Sequence, residues 1–189
     1  MSKLNSKPII TTDLDGVQCQ FNPYFHEWVN KKTLKNLEYS NQTSFAYEDC
    51  WGETKEYWRN LMIQFCKEGN LVDLPIYEGG VKAVKELSNK YQIIAVTFRH
   101  PLNRDATLEW VGREIPEISD VIFEQDKAGF CKKVKAVAHI DDSLDCVRTF
   151  TDKTKAYLID RPWNQSNKEP QYQRVDSWDP ILSEFIYGF

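Results

Sequence analysis

Two runs of apolar and β-branched residues, Pro8-Ile9-Ile10-Thr11-Thr12 and Val137-Ala138-His139-Ile140, each end directly in aspartates. The first runs into Asp13-Leu14-Asp15-Gly16-Val17 and the second into Asp141-Asp142-Ser143-Leu144-Asp145. Short runs of this kind read as central strands of a sheet covered on both faces. In one parallel sheet both acidic clusters would sit at the carboxyl ends of strands, the edge where open α/β sheets bind ligands.

The rest of the chain supports that architecture. Gly79-Gly80 opens a helix marked by Val81, Val84 and Leu87, and Tyr91 to Thr97 follows as a strand. A helix from Asn103 to Val111, a strand at Val121-Ile122-Phe123 and a helix from Ala128 to Val134 come next. Ala136 to Ile140, a helix from Ser143 to Phe150, and a last strand from Ala156 to Ile159 complete the alternation. The polar stretch from Arg161 to Gln173 reads as a loop, and Trp178 to Phe189 as a terminal helix. The expected fold is α/β, a Rossmann-like parallel sheet flanked by helices.

One connection breaks the rhythm. Asn22 is suited to cap a helix with Pro23 in its first turn, and Phe25, Trp28 and Val29 mark a face that continues toward Leu34 and Leu37. Leu37 to Cys50 is polar and broken, after which Tyr57, Trp58, Leu61, Met62 and Phe65 give helical spacing across Glu53 to Lys67. Gly69-Asn70 ends that helix, and Pro75 keeps Leu71 to Tyr77 a connector. A passage from 20 to 77 is too long for an ordinary βα loop. It predicts a small helical cap inserted after the first strand, with 1–19 and 78–189 forming the α/β core.

Composition narrows the function. A formal charge of -4 without a basic block argues against a long nucleic-acid partner, while a single nucleotide or a strand end needs only one local site. Cys19, Cys50, Cys66, Cys131 and Cys146 form no CxxC pair, so neither a disulfide framework nor a thiolate zinc site is expected. Met1 to Lys7 leads into the first strand without a signal-like segment, and no apolar run is long enough to span a bilayer, so a cytoplasmic setting is expected. The oligomeric state is not encoded in any feature of the chain.

Carboxylates crowded at one edge repel unless a cation joins them, and hard, oxygen-seeking Mg²⁺ is the natural choice. Asp13/Asp15, Thr97 and Asp141/Asp142 all follow strands, and Lys127 opens the helix before the last pair. A carboxylate such as Asp13 can attack phosphorus once nearby cations reduce its repulsion from phosphate. The Thr97 hydroxyl can hold phosphoryl oxygens and Lys127 can offset the accumulating charge. Asp15 can exchange a proton with the leaving alcohol and then with water, and its carbonyl can bind the metal. Asp142 is the expected distal ligand, with Asp141 supporting it and Asp145 a further possible contributor. Lys132 and Lys133 compete with Lys127, which has the better position at a helix start.

These residues resemble the motifs of the haloacid-dehalogenase-like superfamily, in its 5′(3′)-deoxyribonucleotidase-like branch. The first motif is Asp13-Leu14-Asp15-Gly16-Val17, the second is Thr97 after Ile93-Ile94-Ala95-Val96, the third is Lys127 and the fourth is Ile140 to Asp145. The late Arg161-Pro162-Trp163-Asn164 and the segment from Arg174 to Trp178 are also similar to the branch. The resemblance implies Asp13 as nucleophile, Asp15 as acid and base, phosphate contacts from Thr97 and Lys127, and Mg²⁺ on Asp13, the Asp15 carbonyl and Asp142. It implies a phosphatase acting on a small phosphorylated substrate, a nucleoside monophosphate. Phe98 and Ser143 depart from the Ser and Arg of mammalian-type members, which leaves strand ends or other phosphometabolites, or ligand binding without turnover, as alternatives.

Around this set, Phe21 and Phe25 are the cap aromatics expected to reach substrate, though all the cap aromatics equally suit a cap core. Arg99 suits a phosphate contact or a salt bridge, and Asn164 a loop or substrate contact. His100 is assigned to the loop after Thr97, His26 to a helix and His139 to the buried face of a strand. An isolated Asp-x-Asp-Gly also suits a calcium loop, but the later ligands of that pattern are absent.

Overall fold

A computed structural model describes residues 7–151, 153–165 and 169–188. Six strands form one sheet in the order β3-β2-β1-β4-β5-β6. They are β1 (Ile9–Thr12), β2 (Gln92–Thr97), β3 (Ile118–Phe123), β4 (Ala138–Asp141), β5 (Lys155–Ile159) and β6 (Gln173–Val175). Every pairing is parallel. β4 is buried at all four positions, as strands covered on both faces are.

β1 lies at the centre, with β2 on one side and β4 on the other. The chain runs outward through β2 and β3, then crosses back to β4. The crevice between the carboxyl ends of β1 and β4 is therefore a topological switch point. Both acidic clusters open onto it.

The helical insertion after β1 contains α1 (Phe21–Thr33), α2 (Tyr47–Trp51) and α3 (Lys55–Lys67). α1 differs from expectation at both ends. It starts at Phe21 without a side-chain cap, and the Asn22 Oδ1 instead accepts from the Tyr47 hydroxyl at 3.0 Å. It stops at Thr33 because Leu34 turns left-handed at φ 58°. Asn30 then bonds both the N–H and the carbonyl of Leu37, at 2.7 and 2.9 Å, folding the chain back. α2 was not expected in a polar segment, yet Tyr47 is anchored on Phe25 with ring centroids 5.4 Å apart. Thr54 caps α3 by accepting from Tyr57 N.

Helices α4 (Glu78–Leu87), α5 (Arg104–Glu114), α6 (Lys127–Val134) and α7 (Leu144–Arg148) complete the crossovers. α7 is shorter than its apolar pattern, with Ser143 as its cap rather than its first residue. β6 corrects the reading of Arg161 to Gln173 as all loop and of β5 as the last strand. Its three residues pair with β5 through Tyr157, Leu158 and Ile159. The terminal helix is likewise broken: α8 (Asp179–Leu182) widens into a π turn over Ser183–Tyr187. All five cysteines are free thiols. Among the described residues no helix is long and apolar enough to cross a membrane.

Candidate active site

β1 delivers Asp13 to the switch point, where its N–H donates to the Ile140 carbonyl at 2.8 Å and ties the two acidic loops together. The chain then turns at Gly16, whose φ of +76° suits glycine. Space imposes the same residue: a Cβ there would lie 2.1 Å from Asp142 Oδ2. The turn thus brings the first loop flush against the carboxylate of the second.

Asp13, Asp141 and Asp142 are all buried and present carboxylate oxygens within 4.8 Å of one another. Lys127, the first residue of α6, faces two of them from one side. Its Nζ is 2.9 Å from Asp13 Oδ1 and 2.8 Å from Asp141 Oδ2. Lys132 and Lys133 lie exposed on the same helix. Lys127 thus bridges two of the three carboxylates.

Protonation follows from this imbalance. Burial raises the Asp13 carboxyl to about 7, against the pull of Lys127 and with the repulsion of Asp141 and Asp15. Burial and then Asp141 push Asp142 well above the usual carboxylate range. Burial also opposes ionisation of Asp141, but Lys127 and His139 outweigh it and hold this carboxyl low. Keeping Asp13 and Asp142 ionised therefore takes more positive charge than Lys127 and Arg161 supply. That deficit, on hard oxygen donors, fits a divalent ion such as Mg²⁺.

Asp15 points elsewhere. Arg99 grips it in two-pronged fashion, Nε to Oδ2 at 2.9 Å and Nη2 to Oδ1 at 2.6 Å, and the Cys19 thiol donates to Oδ1 at 3.1 Å. Burial opposes the charge, yet Arg99 holds the Asp15 carboxyl below its ordinary range. The remaining Arg99 arm donates to Thr107 Oγ1 at 3.2 Å, so the guanidinium is fully engaged within the fold. Thr97 is buried at the end of β2, and its Oγ1 accepts from Arg99 N at 3.2 Å.

The other expected residues separate by environment. Asn164 is buried and donates to the Asp142 and Ile159 carbonyls, both at 2.8 Å, which places it between two loops. The Asp145 side chain is 96% exposed and 3.5 Å from Arg148, outside the carboxylate group. Phe25 is fully buried among Phe21, Trp28, Tyr47 and Phe65, and Phe21 packs edge-on against Phe65 at 5.6 Å. Phe98, beside Thr97, is exposed. The His100 Nδ1 accepts from Leu102 N at 3.2 Å, within its own loop.

Trp163, Arg161 and His139 make contacts that were not foreseen. Trp163 Nε1 donates to Asp142 Oδ2 at 3.0 Å, and Tyr39 from the helical insertion packs edge-on against the same indole at 5.6 Å. Arg161 Nε donates to the Gly16 carbonyl at 2.7 Å while its guanidinium lies 4.2 Å from the Tyr77 ring centroid. His139 Nε2 lies 3.0 Å from Asp141 Oδ2. The Pro-aromatic-Asn loop was a signal for the first two; a histidine in an otherwise apolar strand was the signal for the third.

Comparison with known proteins places this geometry. Residues 7–186 match the family described as 5′ nucleotidase, deoxy (Pyrimidine), cytosolic type C protein. A 5′(3′)-deoxyribonucleotidase of Bacillus subtilis (strain 168) is 32% identical over 186 residues, covering 95% of this chain and 99% of that protein. Among solved structures, a haloacid dehalogenase-like hydrolase from Streptococcus pneumoniae superposes with a TM-score of 0.68 at 10% identity, covering 95% of this chain and 98% of the other. A HAD hydrolase from Bacillus subtilis, bound to magnesium, gives 0.63 at 12% identity, covering 96% and 99%. At such identities these two structures establish the fold alone.

Proposed function

Because this chain belongs to the cytosolic type C 5′-deoxynucleotidase family, within the haloacid-dehalogenase-like hydrolases, we propose that it hydrolyses the phosphate monoester of a deoxyribonucleoside monophosphate with Mg²⁺. The observation that carries this reading is the trio of buried carboxylates facing one lysine at the switch point. The deoxyribonucleotidase relative supports the substrate class, and the magnesium-bound neighbour supports the metal.

Asp13, the Asp15 carbonyl and Asp142 would hold the ion, with Asp141 in support. Mg²⁺ bound there supplies the positive charge that lets carboxylate and phosphate approach. Asp13 then forms a bond to phosphorus as the ester P–O bond breaks, and Lys127 and Thr97 hold the phosphoryl oxygens. Asp15 gives the departing alcohol its proton. It next takes a proton from water, which attacks phosphorus and cleaves the aspartyl-phosphate to regenerate Asp13 and release phosphate.

Asp15 in the grip of Arg99 is suited to the second, basic role. A phosphate arriving beside it opposes its charge and competes for Arg99, favouring the protonated acid needed first. Residues 20–77 act as the cap, closing over the nucleoside while water is excluded from the first transfer. Five free thiols agree with a cytoplasmic setting.

Phosphate release from a panel of nucleoside monophosphates, phosphorylated strand ends and sugar phosphates tests this. The expected result is magnesium-dependent release, fastest with a deoxyribonucleotide and abolished in Asp13→Asn. Preference for strand ends, or equal activity in Asp13→Asn, overturns the substrate or the nucleophile respectively.

A further inference from the structure

Beneath the carboxylates runs a buried polar line that the proposed chemistry does not use. Thr11 on β1 stands directly opposite His139 on β4, and both are fully buried. His139 Nδ1 is 2.9 Å from Thr11 Oγ1, and Thr11 Oγ1 is 3.1 Å from Cys131 Sγ on α6. On the other side of the ring, His139 Nε2 reaches Asp141 Oδ2 at 3.0 Å. The imidazole stacks on Phe150 with centroids 4.9 Å apart and planes 12° apart, which fixes its tilt.

The direction of these bonds follows from what each group can give. Asp141 as a carboxylate only accepts, so Nε2 carries the proton and Nδ1 must accept. The Thr11 hydroxyl then donates to Nδ1 rather than to the Ala138 carbonyl, which lies farther off at 3.2 Å. Cys131 donates to Thr11 in turn. Polarity therefore runs one way, from Cys131 through Thr11 and His139 to Asp141.

The line ends on Oδ2, the oxygen that also meets Lys127 at 2.8 Å, while Oδ1 accepts from Ser143 N at 2.8 Å. Both oxygens of Asp141 are thereby spoken for, and the carboxylate has one rotamer open to it. His139, Asp141 and Cys146 also place ligand atoms within 4.8 Å of one another. The histidine and aspartate are already joined directly, with the Lys127 ammonium against the same oxygen. That arrangement suits a hydrogen-bonded brace better than a second cation.

We propose that His139 is a positioning residue: by holding Asp141, it sets Lys127 at the distance from Asp13 that phosphoryl transfer requires. A satisfied buried network of this kind rigidifies the groups it ends on. Without the Nε2 donor, Asp141 is left to Ser143 N and Lys127 alone, and a turn of its carboxylate draws Lys127 from its place between Asp141 and Asp13. The effect is expected on turnover more than on substrate binding, because Lys127 matters most as charge builds on the phosphoryl oxygens.

This inference rests on the phosphatase reading, and a double-mutant cycle separates the two. Wild type, His139→Leu, Lys127→Met and the double variant are assayed on one deoxyribonucleoside monophosphate with Mg²⁺. The expected loss in kcat for His139→Leu is roughly tenfold to a hundredfold, with KM little changed. The same substitution made in Lys127→Met should cost nothing further, since its route of action is gone. His139→Gln, whose amide can donate in place of Nε2, should recover most of the loss. A folded His139→Leu with wild-type kcat, or losses that simply multiply, overturns the proposal. Should His139→Leu not fold, His139→Asn, too short to reach Asp141, takes its place with the same criteria. A wild type that turns over no phosphate monoester overturns the phosphatase reading instead. The inference is then decided by a crystal structure of the His139 variant: Lys127 Nζ shifted from Asp13 supports it, and an unmoved Nζ rejects it.

Discussion

The indole N–H of Trp163 meets the Asp142 carboxylate at 3.0 Å, and the same oxygen, Oδ2, limits residue 16 to glycine. A loop that follows β5 thus aims an acidic side chain that follows β4. Asn164, next in the chain, donates to the Asp142 carbonyl, so the loop holds both the backbone and the side chain of that residue.

Trp163→Phe removes the N–H and keeps most of the ring. Asp142 then loses the one neutral donor its carboxylate has among the described residues, and its orientation toward a bound ion relaxes. The magnesium concentration for half-maximal activity should rise roughly tenfold or more, as for partners that orient metal ligands elsewhere. Magnesium titration of turnover checks this; an unchanged midpoint removes Trp163 from the metal site.

Gly16→Ala should be more severe. It places a β-carbon at φ +76°, costing about 1–2 kcal/mol, and drives it into Asp142 Oδ2. Activity is expected to fall much further than thermal stability. A variant with normal turnover would show that the two loops part more readily than the close approach implies.

Much of this site could be read before the fold was known, and the reason is positional. Asp13 and Asp142 each follow a buried strand, so parallel topology alone brings them to one edge, and Lys127 is legible as the start of the preceding helix. His139 and Trp163 were not legible as partners of Asp141 and Asp142. Their contacts depend on which strands are neighbours and in what register, as in the pairing of Thr11 with His139. β6 escaped because three residues give too short a period to recognise, and its Gln173 and Arg174 carry no apolar signal. α1 looked longer than it is because Leu34 and Leu37 continue its pattern, whereas the backbone reverses at Leu34.

Arg99→Met leaves Asp15 in a largely enclosed site without its counter-charge. The Asp15 carboxyl, now held low by Arg99 despite burial, should rise. A depressed carboxyl contributes stability that is present above its unfolded value and is lost as pH falls through its folded value. Wild type should therefore exceed the variant by about 2 kcal/mol near neutrality, with Asp15 partly solvated, and the gap should narrow as pH falls through the variant's raised Asp15 value toward the wild type's depressed one. Urea unfolding across pH reads this, and a constant gap at all pH values argues against the ion pair.

His26 offers a second pH signature, in the helical insertion. It is buried among Tyr39, Tyr47 and Trp51, and burial lowers its pKa from 6.5 to about 4 despite Gln42 nearby. The unfolded chain then binds the extra proton between those values, so this histidine's contribution is full above pH 6.5 and falls away toward pH 4. The loss amounts to about 3 kcal/mol at most, at about 1.4 kcal/mol per pH unit. His26→Phe should show a flatter stability profile over that range than wild type; parallel profiles would place the titration elsewhere.

The covalent step at Asp13 is the centre of the account, and acid quenching during turnover tests it most directly. Enzyme mixed with a phosphate-labelled deoxyribonucleoside monophosphate and Mg²⁺, then quenched and digested, should carry label on the peptide containing Asp13. That label should be removable by hydroxylamine, as an acyl phosphate is, and absent in Asp13→Asn. Rapid hydrolysis with no label on that peptide at any quench time, or label that persists in Asp13→Asn, contradicts it.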